Sequence, residues 1–161
     1  MRNLRHATAF LGAAMLVFSG CATSPEDEAR QREKEADIAS ILEQPLPPEF
    51  GGTEKCLSSS RVKSHRALDE YHLLFEGSKD RYWVNTLRGR CSALNWGDIL
   101  IVKHYSGSRF CEFDRFNVAD WFDLPRTLNT RGKLGMECTL GTFQPVTADQ
   151  VAEIDAVLER E

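Results

Sequence analysis

"YHLLFEGSKDRYWVNTL", residues 71–87, decides the fold. Two apolar-rich runs, 71–76 and 82–87, flank Gly77-Ser78-Lys79-Asp80-Arg81, and that pattern predicts a β-hairpin with a five-residue loop. The second run puts Tyr82, Val84 and Thr86 on one side and Trp83, Asn85 and Leu87 on the other, so both sides are part apolar.

Working outward, "ILIVKHY" at 99–105 predicts the strongest strand, entered from Asn95-Trp96-Gly97-Asp98. Further strands are expected at 61–67 and 138–143, and one around 110–118. In the last of these Phe110, Phe113 and Phe116 recur every third residue, followed by Trp121 and Phe122, a spacing that suggests a bulged strand. The expected fold is mainly β: a small antiparallel, barrel-like sheet of five to six strands. A helix should follow, because Thr147 and Gln150 form a capping box ahead of the one-sided set Val151, Ile154, Val157 and Leu158.

The first 20 residues have the three parts of an export signal: Arg2 and Arg5, the apolar stretch from Ala7 to Phe18, then Ser19 and Gly20. That stretch is too short for a bilayer core, which takes about 20 helical residues. Phe18-Ser19-Gly20-Cys21 resembles the lipobox of bacterial lipoproteins, which makes Cys21 the expected site of acylation, palmitate included. Ala22, where an Asp would signal retention, resembles lipoproteins sorted to the outer membrane. The expected location is therefore the outer membrane, facing the periplasm.

Residues 21–50 carry eight acids against three bases. Ser24-Pro25-Glu26-Asp27 is a helix start, and a helix to about Leu42 would have only Ile38, Ile41 and Leu42 as an apolar stripe. The segment is expected to be an acidic tether, helical or disordered, that ends at Pro45, Pro47 and Pro48, with the folded domain spanning 51–161. The middle of the chain, 51–146, holds fourteen bases against eleven acids, far short of a nucleic-acid footprint.

Setting Cys21 aside leaves Cys56, Cys91, Cys111 and Cys138, an even set in an exported chain and hence two expected disulfides. Sequence permits three connectivities; neighbour pairing, Cys56 with Cys91 and Cys111 with Cys138, is the expectation taken here. Zinc thiolate sites use cysteines two to four residues apart, and none here are closer than 20.

Chemistry is sparse. His65, His72 and His104 lack ligand spacing, "CLSSSR" lacks a nucleophile elbow, and adjacent Asp69 and Glu70 are expected to shape the turn into the 71–76 strand. No catalytic, metal or cofactor residue is therefore assigned. Arg81, Arg88 and Arg90, around the hairpin and Trp83, are the candidates for an anionic surface such as a phosphate-bearing glycan or lipid headgroup.

Several short motifs together are familiar: Cys56-Leu57, Arg61-Val62, Leu68-Asp69-Glu70, the strand from Tyr82 to Leu87, Cys91 with Leu94, Cys111 with Asp114, and the run from Cys138 to Val146. They resemble a group of small exported proteobacterial proteins, domain of unknown function 6491, many of which have lipoprotein signals. Ser92 stands where relatives often have Pro. The resemblance implies a disulfide-bonded exported domain and brings no activity. The functional expectation is a non-enzymatic module that meets an envelope protein or glycan, held to the membrane through Cys21. Its rivals are an inhibitor of an envelope-directed enzyme such as lysozyme, and an envelope hydrolase.

Overall fold

A computed structural model describes residues 24–95, 99–103, 107–119 and 136–160. Cys21, His104, Trp121 and Phe122 lie outside the described residues. The strands are β1 (Cys56–Ser58), β2 (Val62–Ala67), β3 (His72–Gly77), β4 (Tyr82–Thr86), β5 (Ile99–Lys103), β6 (Arg109–Cys111), β7 (Arg115–Ala119), β8 (Glu137–Thr139) and β9 (Phe143–Val146). Helix α1 spans Pro25–Leu42 and α2 spans Ala148–Leu158.

The β3–β4 hairpin forms the middle of a four-stranded antiparallel sheet in the order β2-β3-β4-β9. Its turn closes with Gly77 N–H donating to the Arg81 carbonyl at 2.7 Å, while Lys79 and Asp80 take positive φ. Strands β5-β7-β8 form a second sheet, and β1 pairs with β6 in a third. The chain is thus mainly β, as expected, but it forms three antiparallel sheets and no closed barrel.

Period-two alternation gives the central sheet two buried faces. Leu73, Phe75, Trp83 and Phe143 point into a core shared with Leu57, Phe116 and Leu140. Leu74, Val84 and Val146 point the other way, under α1 and α2. The part-apolar character of both sides of 82–87 thus has its cause in a sheet covered on both faces.

Both helix starts match their sequence signals. Ser24 Oγ accepts the Asp27 N–H at 3.1 Å, and Thr147 and Gln150 make both bonds of the capping box. The expected tether differs from what is found. Ile38, Ile41 and Leu42 are buried with Ile154 and Val157, so the second half of α1 belongs to the core and the folded unit begins well before Gly51. Fully burying each such side chain contributes about 1.5–3 kcal/mol, enough to hold a half-charged helix down. The Gln150 carboxamide strengthens the contact by donating to the Ile41 carbonyl at 3.0 Å.

The cysteines pair, but not as neighbours: Cys56 bonds Cys111, and Cys91 bonds Cys138. Cys56 stands directly opposite Cys111 in the β1–β6 ladder, so strand register selects the partner. The bulged strand expected around 110–118 is instead two strands in different sheets. Between them the chain turns at Glu112 and Phe113, with Asp114 N–H donating to the Cys111 carbonyl at 3.0 Å.

Candidate binding surfaces

The three candidate arginines do not form one site. Arg81 precedes β4 and Arg88 follows it, at opposite ends of a strand rising about 3.3 Å per residue, so roughly 20 Å separate them. Arg90 donates from Nε to Glu70 at 2.5 Å, a bond that raises its already high pKa. Arg88 pairs with the Glu112 carboxylate and lies 4.3 Å from the Phe113 ring centroid.

Arg81 belongs to a different place, an open cleft of about 560 Å³ whose wall includes Glu49, Phe50, Glu54, Arg61 and Trp83, so two acids and two arginines share it. Its guanidinium stacks 4.9 Å above the Phe50 ring and donates to the Glu49 carbonyl at 2.6 Å. Arg61 stacks 4.7 Å above Trp83 and makes a bidentate pair with Glu54 at 2.6 and 2.9 Å. Gly77 permits this packing, because a Cβ there would stand 2.7 Å from Trp83 Cζ3. The Trp83 indole is 3% exposed, and its N–H has no hydrogen-bond partner among the described residues. Two guanidiniums, each stacked on a ring, therefore line one opening, that of Arg61 paired with Glu54 and that of Arg81 tied to the Glu49 carbonyl.

The second surface is the Cys111–Asp114 turn. Phe113 has φ of 73° and is 61% exposed, an uncommon state for a bulky residue. Its N–H donates to the Leu140 carbonyl at 3.0 Å, and the buried Asp114 carboxylate accepts the Cys111 N–H at 2.8 Å. The turn is held from both sides.

Asp69 does shape the turn into β3. Its carboxylate accepts the N–H groups of Tyr71 and His72, each at 2.7 Å, and contacts His72 Nδ1 at 3.0 Å. Burial pushes this carboxyl up, but the bond to His72, the imidazole charge and the two backbone N–H groups outweigh it and hold the pKa below the ordinary value. Glu70 accepts from Arg90 and from the Asn95 carboxamide. His65 leans on Phe75 at 6.0 Å, and burial lowers its pKa. His65 pairs across the ladder with Phe75, three residues along β3 from His72, so the two imidazoles sit on opposite faces. Among the described residues no group of three metal-ligating side chains converges.

Sequence reasoning passed over Phe50, Glu54 and Arg61, whose nearness to Arg81 depends on the path of the chain between α1 and β2. It also missed the turn at Phe113, for which Asp114 was the available signal, since Asp side chains close turns on nearby N–H groups.

Neither a curated protein nor a solved structure matches this chain. A family model matches residues 4–160, nearly the whole chain including the two disulfide pairs and both surfaces described above. The chain belongs to that family, a family of unknown function designated DUF6491.

Proposed function

We propose that the protein is a lipoprotein acylated on Cys21, anchored in the outer membrane and facing the periplasm, where its domain acts as a non-enzymatic binding module. Pairing of Cys56 with Cys111 and of Cys91 with Cys138 marks an exported protein. It leaves Cys21 as the odd sulfur of five, directly behind a basic and apolar leader. No described helix is long and apolar enough to cross a membrane, and the attachment assigned in this reading is through acyl chains on Cys21.

The binding role rests on one observation, the pair of ring-stacked guanidiniums of Arg61 and Arg81 around a single open cleft. A guanidinium held flat on a ring suits the phosphate or carboxylate of an envelope glycan. Fractionation of cells tests the anchor: Cys21→Ala protein should leave the membrane pellet, and its retention there at high salt would reject acylation. The released Cys21→Ala protein then serves for titration with a phosphorylated glycan. Arg81→Ala should weaken binding by about tenfold or more, the worth of one charge-assisted hydrogen bond. Unchanged affinity would reject the cleft.

A further inference from the structure

We infer that the end of the domain carrying Phe113 and Met136 rests on the phospholipid bilayer that holds the anchor. The inference builds on acylation of Cys21. Among the described residues the exposed large hydrophobic side chains are Phe113, at 61%, and Met136, at 53%. Scattered exposed hydrophobics need no explanation, but these two flank one short strand, Met136 just before β8 and Phe113 bonded to Leu140 just after it. The segment after β4 joins them: Arg88 stacks on Phe113, and Ser92 Oγ lies 3.7 Å from Met136 Sδ.

The same segment meets the start of α1. Arg90 and Tyr71 line a cleft together with Asp27, Glu28 and Gln31 of the first helical turns. Ser24 caps α1 and stands three residues from Cys21. Three extended residues reach at most roughly 11 Å, so an acylated Cys21 keeps this end of the domain beside the headgroups whatever path the intervening residues take. The second half of α1 is locked into the core by Ile38, Ile41 and Leu42, so the helix transmits that placement to the sheet.

The local charges are nearly balanced. Glu26, Asp27 and Glu28 face Arg30 and Arg32 along α1, while Arg88 and Arg90 are each matched by a carboxylate. Contact therefore depends on apolar side chains entering the interface, with the Arg88 guanidinium remaining at headgroup level, and not on attraction to anionic lipid. The held turn keeps the Phe113 ring projecting despite its positive φ, which suits an anchor that must not fold back.

The test places a photoreactive benzoylphenylalanine at position 113 of the full chain in living cells, and at Lys79 on the hairpin tip at the far end of the sheet as comparison. After irradiation, mass spectrometry should find phospholipid adducts at 113 several-fold above those at 79. Equal lipid adducts at the two positions, or protein adducts alone at 113, with Cys21 acylated, overturn the inference and leave the anchor standing. An unmodified Cys21 in the same spectra overturns the anchor and this inference together.

Discussion

The Asn85 carboxamide pairs with the backbone of Gly141, donating from Nδ2 to the carbonyl at 2.8 Å and accepting the N–H at 2.9 Å. Asn85 is fully buried in β4, opposite Phe143 in the ladder, and Gly141 lies two residues before β9 begins. The side chain thus extends the β4–β9 pairing by one rung and satisfies two backbone groups that no strand reaches. The approach is close: a Cβ on Gly141 would stand 1.9 Å from the Thr86 carbonyl oxygen.

Removing either partner should therefore be costly. Gly141→Ala forces the Thr86 backbone to move, and Asn85→Ala leaves a buried N–H and C=O unpaired. Each should lose about 2–4 kcal/mol in urea denaturation, at the high end of single substitutions. A loss under about 1 kcal/mol for Asn85→Ala would show that the pair contributes little.

The disulfide connectivity gives a second expectation. Non-reducing peptide mapping should yield Cys56 linked to Cys111 and Cys91 to Cys138. With sequence separations of 55 and 47, the chain-entropy model gives about 4 kcal/mol for each. Cys91→Ser with Cys138→Ser should lower the urea midpoint accordingly, and recovery of Cys56 linked to Cys91 would contradict the β1–β6 register.

Where the chain was legible, the signal was local. The runs in β3 and β4 are long enough to alternate, and Ser24 and Thr147 cap their helices through their own neighbours. Strands β1, β6 and β8 are three residues each, too short for a period to be read, so the sequence predicts one sheet where three form. Pairing of Cys56 with Cys111 depends on β1 meeting β6 across 55 residues, a relation that spacing does not encode. The stripe on α1 was visible, yet a helix charged over its first turns looks like a spacer until the sheet it covers is known. Of the candidate site, Arg81 beside Trp83 was legible, because both lie in one hairpin; Phe50 and Arg61 arrive from elsewhere.

Acid should destabilise the domain through two groups. The Asp69 pKa is depressed in the fold, so its contribution is complete above the unfolded value and is lost as pH falls through the folded one, below about pH 4. The His65 pKa is also depressed, by burial, so the unfolded chain takes up the proton first and stability declines as pH drops below about 6.5. Asp69→Asn should remove the lower step of a stability-against-pH curve, and His65→Phe the upper one. A lower step that survives in Asp69→Asn would assign it to another carboxylate.

Phe113 yields the sharpest separation of stability from role. A side chain in the left-handed region costs roughly 1–2 kcal/mol, and the stack under Arg88 returns about 0.5–1 kcal/mol at an exposed site. Phe113→Gly keeps the backbone N–H that donates to Leu140 and removes both effects. Thermal or urea unfolding should then show it to be as stable as the parent or more stable, by up to about 1 kcal/mol. The sign matters, because a strained aromatic retained at a cost to the fold requires a benefit outside it, whereas a Phe113→Gly protein less stable by about 1 kcal/mol would make the ring a structural element of the turn.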